Sequence, residues 1–211
     1  MRTKAIVLVI SIVILISMTS IATADTLVIN SDSTWKVNQN SVSGWETVAF
    51  NDSGWLSPQV IGAPPMSPWG TIPGMNPTGA KWIWTREGTN AWVTPDISNV
   101  DRYFRKEFVI PGNPTAGNVR ITVDNEYVIY VNGVLIGSNN DWYAAETYDI
   151  RSNLHQGKNL IAVCGKDWGG PEGLLLDSTI TYSNQIPEFP TIAIPVISII
   201  GLMLVLNRKK Q

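Results

Sequence analysis

The sequence predicts an all-β protein with one central domain, and three observations lead to that prediction. Short runs rich in valine, isoleucine, tyrosine and threonine recur along residues 25–185, bounded by asparagine, glycine, aspartate or proline. No part of this region keeps the i, i+3, i+4 apolar pattern of an amphipathic helix over several turns. A single cysteine, Cys164, excludes an intramolecular disulfide, so an apolar core must hold the domain together.

The first segment, residues 1–24, is typical of a secretory signal peptide. It has a basic start and an apolar stretch, and the small residues Ala22 and Ala24 form an A-x-A cleavage site. The alternative is an uncleaved signal anchor. In both cases we expect the body that follows, residues 25–185, to be exported.

Within the body the predicted strands follow one another in chain order: TLVIN, KWIW, YFRKEFVI, VRITV, YVIYV, VLIG, NLIAVCG and TITY. The clearest local signal is Asn132-Gly133. This dipeptide suits a type I′ turn, because both central residues of that turn need positive φ. We therefore expect a tight hairpin after the run that ends at Val131. Asp124-Asn125 marks a second turn. The pattern as a whole favours a β-sandwich or barrel.

The last segment contains an apolar run at residues 192–206, predicted to form a helix. Fifteen residues at about 1.5 Å each span about 22 Å, less than the roughly 30 Å of a bilayer core. Arg208, Lys209 and Lys210 follow at once, and positive charge beside a membrane segment favours the cytoplasmic side. The body is therefore expected outside the membrane, with its tail at the membrane.

Charge and residue inventory exclude several functions. Between Asp25 and Ile186, ten basic residues face 16 acidic ones, a net charge of −6, so no basic face for nucleic acid is expected. The single histidine, His155, provides no zinc cluster, and no serine-nucleophile motif is present. A glycosidase needs only two carboxylates, so a small glycoside-active enzyme remains an alternative, with the following candidates: Asp141, Asp167 and Glu172.

Five motifs of the body, in order, resemble a known family: STWKV, GWETVAFNDSGW, YFRKEF, VRITVDNEYVIYVNGVLIG and TYDIRSNLHQGKNLIAV. Together they resemble the galactose-binding-like (discoidin-type jelly-roll) β-sandwich, closest to the accessory domains of rhamnosidases and other large glycoside hydrolases. The resemblance implies a single jelly-roll sandwich over residues 25–185 and a noncatalytic role. It implies no required cofactor, although calcium is common in such sandwiches, and Asp32 and Asp177 are the candidate ligands.

The tail, residues 186–211, has a resemblance of its own. A short PEFPT motif, an apolar helix and a basic end resemble the archaeal PEF-CTERM sorting signal. The resemblance implies that an archaeosortase-type transpeptidase removes the tail and transfers the body to a lipid anchor. The alternative is a plain C-terminal membrane anchor. The motif residues are Pro187, Glu188, Phe189, Pro190 and Thr191.

The tryptophans divide into predicted core residues and predicted ligand contacts. Flat aromatic rings can stack on the apolar faces of sugars, while loop carboxylates and amides take the hydroxyls. The ligand candidates, all in loop-like contexts, are Trp69, Trp92, Trp142 and Trp168, with Asp167. The predicted core residues are Trp35, Trp55, Trp82 and Trp84. Separately, Asn51 begins an N-x-S sequon and is a candidate glycosylation site.

These observations predict an exported cell-surface protein, tethered to the outer face of the membrane by its tail or by a lipid anchor. Its β-sandwich is expected to bind a carbohydrate or a glycosylated surface component without catalysis. The first alternative is a structural component of the cell envelope without a small ligand, and the second is a small glycoside-active enzyme. A binding module should expose loop tryptophans side by side, whereas a structural module should bury them.

Overall fold

The computed structural model describes residues 22–75, 79–85 and 99–185, together with residues 200, 201 and 208. The chain divides into a compact unit at Ala24–Ser183 and a second unit made of Met1–Thr23 and Asn184–Gln211. Residues 1–21 of the predicted signal peptide, and all but Ile200 and Gly201 of the predicted helix at 192–206, lie outside the described residues. In the described part of the chain, no helix has the length and apolar character needed to cross a membrane.

The described residues form two antiparallel sheets that pack as a sandwich. The strands are β1 (Ala22–Asn30), β2 (Lys36–Asn38), β3 (Gln59–Gly62), β4 (Trp82–Trp84), β5 (Val100–Ile110), β6 (Asn113–Asp124), β7 (Glu126–Val131), β8 (Val134–Asn139), β9 (Glu146–Asp149), β10 (Gly157–Asp167) and β11 (Gly173–Gln185). Sheet A has the strand order β3-β4-β11-β6-β9, and β1 also pairs with β11, while sheet B has the order β2-β5-β10-β7-β8. The predicted all-β sandwich is confirmed.

The predicted Asn132-Gly133 hairpin is confirmed. The two residues have φ angles of 52° and 84°, as a type I′ turn requires, and Val131 pairs with Val134 across the turn. The second predicted turn is also present, because β6 ends at Asp124 and β7 begins two residues later.

The core lies between the two sheets and follows the alternation of the strands. In β7, for example, Tyr127, Ile129 and Val131 are buried while the residues between them are half-buried. All four tryptophans predicted as core are buried. Their exposed fractions are 0% for Trp35, 9% for Trp55, 0% for Trp82 and 1% for Trp84.

Two smaller aromatic clusters cover the other faces of the sheets. The loop between β2 and β3 packs over sheet B, and the connection between β3 and β4 packs over sheet A. The buried members of the first cluster are Trp45, Trp55, Tyr103, Leu160 and Ala162. Those of the second are Trp69, Ile72, Ala80, Trp82 and Leu175. Four of the described tryptophans therefore pack in the clusters that hold loops on the sandwich: Trp45, Trp55, Trp69 and Trp82.

Candidate functional site

Strand register brings several loops to one end of the sandwich, which we call the loop end. Asp124, the last residue of β6, pairs with Gly173, the first of β11. Asp167, the last residue of β10, pairs with Val100, the first of β5. The turn between β6 and β7 and the β10–β11 connection at residues 168–172 therefore lie at this same end.

Trp69 lies at the loop end but has no exposed face. Its ring stacks on Trp82 with centroids 4.2 Å apart and planes 21° apart, and 5% of the residue is exposed. Its indole Nε1 donates a hydrogen bond to Asp124 Oδ2 at 2.8 Å. Trp69 thus fixes the β3–β4 connection to the end of β6.

Trp168 is the described tryptophan with a largely accessible side chain, being 46% exposed. Its backbone N donates to Asn125 Oδ1 at 2.6 Å, which joins the β10–β11 connection to the β6–β7 turn. The neighbouring Asp167 is buried, and its Oδ1 accepts a hydrogen bond from Gly169 N at 2.9 Å. Asp167 therefore shapes the loop that presents Trp168.

Trp142 is half-buried and stacks on Tyr143, with ring centroids 4.0 Å apart and planes 24° apart. Tyr143 is 67% exposed, and its backbone N donates to Asp141 Oδ1 at 2.9 Å. This exposed aromatic was not predicted from the sequence, because nothing in the run WYAA distinguishes a surface tyrosine from a core one. Trp92, the remaining candidate, lies outside the described residues.

Asp124 is the most perturbed carboxyl at the loop end. Burial raises its pKa to about 6, and the nearby charge of Asp167 acts in the same direction. The hydrogen bond from Trp69 lowers the pKa and opposes part of this shift. Asp124 is consequently a buried carboxyl that accepts the hydrogen bond from Trp69 and so helps to hold the β3–β4 connection at the loop end.

A pocket of about 150 Å³, which we call the neutral pocket, lies beside β2. None of its lining residues, all described, carries a charged side chain, and amide, hydroxyl and aromatic groups converge there. Sequence reasoning missed this pocket, since it treated Trp55 as core and gave its polar neighbours no role. The lining residues are Val37, Asn38, Gln39, Gly54, Trp55, Leu56, Ser57 and Thr85.

A local turn and a strand-like bridge build one wall of the neutral pocket. Ser53 N donates to Asn51 Oδ1 at 3.0 Å, which shapes the turn before Trp55. Leu56 then pairs with Val37 of β2 through backbone hydrogen bonds of 2.8 and 3.1 Å. This turn places Trp55 against the pocket.

Arg105, fully buried in β5, holds this wall on sheet B. Its Nε donates to Asp52 Oδ2 at 2.9 Å, and its guanidinium also bonds the backbone oxygens of Trp45 and Thr47. The guanidinium carbon lies 5.9 Å from the centre of the Trp55 ring. A single arginine thus satisfies the loop backbone and fixes the tryptophan that lines the pocket.

Thr85, which follows β4, also lines the neutral pocket. Thr85 is 3% exposed, and its Oγ1 accepts a hydrogen bond from Arg102 Nε at 3.2 Å. Arg102 is itself buried and also donates from Nη1 to Asp101 O at 3.0 Å. The hydroxyl oxygen of Thr85 is therefore held in a fixed position.

The candidate catalytic carboxylates do not line this pocket. Asp167 and Glu172 are both buried, at 4% and 8% exposed, while Asp141 is exposed and caps the turn at Tyr143. Among the described residues, the neutral pocket has no carboxylate in its lining. The two-carboxylate arrangement of a glycosidase is thus not formed at this pocket.

The two candidate calcium ligands, Asp32 and Asp177, bind other groups of the protein. Asp32 Oδ1 accepts a hydrogen bond from Thr34 N at 2.8 Å, and Asp177 Oδ1 accepts one from Arg120 Nε at 2.7 Å. The second oxygen of Asp177 is buried without a hydrogen bond, but the adjacent guanidinium opposes a cation there. No group of three or more His, Cys, Asp or Glu side chains suited to a metal occurs within the described ranges. Structural calcium stays a prediction.

The remaining predicted positions are less informative. Asn51 is exposed, as a glycosylation site must be, and Ala22 and Ala24 lie in β1. The five sorting-motif residues at 187–191 lie outside the described part of the chain.

Comparison with known families identifies the tail. Residues 186–210 match the PEF-CTERM archaeal protein sorting domain. The resemblance seen in the motif at 187–191 is thereby confirmed. The match indicates an exported protein that is sorted to the cell surface.

Comparison with known proteins also identifies relatives of the body. An alpha-L-rhamnosidase of Streptomyces avermitilis is 30% identical over 149 residues, covering 67% of this chain and 14% of that protein. Two structures of β-glucuronidase from Bacteroides uniformis each superpose with a TM-score of 0.50 at 19% identity, covering 74% of this chain and 18% of theirs. The chain thus spans less than a fifth of these enzymes. The fold likeness agrees with the galactose-binding-like sandwich.

Proposed function

We propose that this protein is a noncatalytic glycan-binding module displayed on the outer face of the cell membrane. The observation that carries the proposal is the neutral pocket, in which Trp55 lies beside amide and hydroxyl groups and no carboxylate. Apolar ring surface next to uncharged hydrogen-bonding groups suits sugars, which present both C–H faces and hydroxyls.

Exposed aromatic side chains at the loop end, where β8 also ends because Asn139 pairs with Tyr127, support the same proposal. Trp168 and Tyr143 are 46% and 67% exposed, and each follows an aspartate that organises its loop. Exposed aromatic rings can stack on the apolar faces of sugars. They offer additional contacts for a longer glycan or a glycosylated surface protein.

The proposed route to the surface uses both ends of the chain. The first 24 residues direct export, and an archaeosortase-type transpeptidase removes the tail after recognising residues 187–191. The body then remains outside, attached through a lipid anchor. The PEF-CTERM match at residues 186–210 supports this route.

A glycan-array screen of the full chain, with and without calcium, tests the binding function. We expect signal for at least one class of glycan, and no release of free sugar from the glycans that bind. A blank array in both conditions would contradict the proposal. Signal that requires calcium would additionally favour a structural ion in the sandwich.

A structural role in the cell envelope is the second candidate, and one observation favours it. Of the eight tryptophans that the structure describes, six are at most 9% exposed, and four of these six pack where loops cover the sheets. A blank array together with chemical cross-links from Trp168 or Tyr143 to a neighbouring surface protein would establish this role. The structural role needs no small ligand.

Asn51 is the proposed glycosylation site of the exported chain. It is exposed, and its Oδ1 accepts a hydrogen bond from Ser53 N at 3.0 Å, which presents the sequon in a compact turn. Protein purified from its native host should lose the mass of one glycan in Asn51→Gln. If Asn51→Gln exceeds the mass of its bare polypeptide by as much as the wild type does, the assignment is wrong.

A further inference from the structure

The size of the neutral pocket limits what it can hold. Pockets for drug-sized ligands have volumes of about 300–1,000 Å³, whereas this pocket has about 150 Å³. Its tryptophan is 9% exposed, so Trp55 offers a narrow apolar strip and no broad stacking platform. Arg105 and Phe50 already contact the Trp55 ring, at 5.9 and 5.5 Å from its centroid. A single small ring fits these limits, and the interior of an oligosaccharide chain does not.

The polar lining favours a ligand with hydroxyl groups. Gln39 and Ser57 are exposed at the pocket and offer an amide and a hydroxyl, while Thr85 offers a hydroxyl oxygen held by Arg102. The Asn38 side chain is used within its own turn, since its Oδ1 accepts from Gln39 N at 2.9 Å. This bond fixes the backbone that carries Gln39. The pocket therefore combines preformed acceptors and donors that carry no net charge.

The charges nearby disfavour an anionic ligand. The guanidinium of Arg105 is fully buried and paired with Asp52, and Arg102 is 4% exposed behind Thr85. A carboxylate that entered the pocket would lose water without gaining an accessible cation, which is costly. The body as a whole carries a net charge of −6, which also opposes an anion.

We propose that the neutral pocket takes one terminal, uncharged sugar ring of a glycan, and that Gln39 and Ser57 hydrogen-bond its hydroxyls. This inference rests on the proposed glycan-binding function and adds which kind of sugar ring the pocket accepts. The sugar enters end-on, because the pocket holds one ring. A glycan that ends in a uronic acid is disfavoured by the lack of an accessible cation.

Saturation-transfer NMR on the full chain tests the inference with matched pairs of probes. The probes are methyl glycosides of glucose, galactose and mannose, and of glucuronic, galacturonic and mannuronic acid. We expect binding of at least one neutral glycoside and at least tenfold weaker binding of the acid that matches it. Equal binding of the acid would overturn the charge selectivity.

Two matched pairs of variants locate the site. Gln39→Ala and Ser57→Ala alter the neutral pocket, whereas Gln156→Ala and Ser152→Ala remove the same groups in the exposed β9–β10 segment, outside its lining. We expect Gln39→Ala and Ser57→Ala each to lose at least tenfold in affinity. Gln156→Ala and Ser152→Ala should lose none, and all four variants should keep the wild-type melting temperature.

The outcomes separate this inference from the proposed function. If a neutral sugar binds but only Trp168→Ala or Tyr143→Ala abolishes binding, the pocket assignment fails and glycan binding stands. If no probe binds and the glycan array is also blank, both the inference and the proposed function fail. Array signal without binding of any monosaccharide probe would overturn the single-ring site alone.

Discussion

Asn132 Nδ2 donates a hydrogen bond to Asn159 Oδ1 at 2.9 Å, joining the hairpin turn of β7–β8 to the start of β10. Asn159 is fully buried, and its own Nδ2 donates to the backbone oxygens of His155 and Gly157, at 2.7 and 2.9 Å. Asn132 Oδ1 in turn accepts from Leu160 N at 2.8 Å. Two asparagines thus satisfy the backbone of two adjacent turns.

We expect Asn159→Asp to destabilise the domain by about 2–4 kcal/mol, because a buried carboxylate would face two carbonyl oxygens without a donor between them. At about 2–4 °C per kcal/mol for a domain of this size, the melting temperature should fall by about 5–15 °C. Thermal unfolding followed by circular dichroism measures the change. Asn140→Asp, at an exposed position, should change it little. Equal effects at the two sites would contradict the role of this pair.

The buried Arg105 gives a second prediction. Arg105→Met should destabilise the domain by about 3 kcal/mol, because it leaves the carboxylate of Asp52 and several loop carbonyls without a donor. It should also expose the β2–β3 loop to proteolysis and weaken glycan binding through Trp55. Arg105 Nη2 lies 3.4 Å from Glu107 Oε1. Lys158→Met is the matched control, since Lys158 is 56% exposed and its Nζ lies 2.8 Å from Oε2 of the same glutamate.

Lys158→Met should lower the free energy of unfolding by at most about 1 kcal/mol, because an exposed ion pair contributes no more than that. Limited proteolysis and thermal unfolding of the two variants provide the comparison. If Arg105→Met keeps the β2–β3 loop protected and binding intact, the arginine does not hold this wall of the pocket.

Asp124 predicts a specific pH dependence of stability. Its pKa is about 6 in the folded domain and 3.8 when unperturbed, so the folded state binds more protons between these values. The contribution of Asp124 to stability is therefore full below pH 4 and is lost as the pH rises through about 6. The loss amounts to about 2–3 kcal/mol at about 1.4 kcal/mol per pKa unit.

Asp124→Asn tests this dependence, since the amide oxygen can still accept from Trp69 Nε1. The variant should match the wild type near pH 4 and exceed its melting temperature at pH 7. Asp141→Asn, at an exposed carboxyl, serves as control. If the difference in melting temperature between the wild type and Asp124→Asn is the same from pH 4 to pH 7, Asp124 is not a buried acid with a raised pKa.

The sorting signal predicts a processed C-terminus. Mass spectrometry of protein from the native membrane should find no peptide from residues 192–211, and the mature C-terminus should fall before the apolar run. Under the proposed recognition of residues 187–191, Glu188→Ala with Pro190→Ala should retain the tail. Recovery of the intact tail from wild-type protein would favour a plain membrane anchor.

The sequence predicted local structure well and the pocket poorly, for physical reasons. The Asn132-Gly133 turn and the alternation in β7 depend on neighbours along the chain, so short patterns predict them. The neutral pocket joins Gln39, Trp55 and Thr85, which are separated by tens of residues and meet only through sheet packing. Trp69 and Trp168 are both loop tryptophans, and only the fold decides that the first is buried against Trp82 and the second exposed.

Isothermal titration of the full chain with the neutral glycan that gives the strongest array signal tests the central claim most directly. We expect one site per chain with a Kd between about 10 μM and 1 mM, which corresponds to about 4–7 kcal/mol of binding free energy. Gln39→Ala should weaken this affinity at least tenfold, and Gln156→Ala should leave it unchanged. Absence of binding heat, or equal affinities of the wild type and Gln39→Ala, would contradict glycan binding at the neutral pocket.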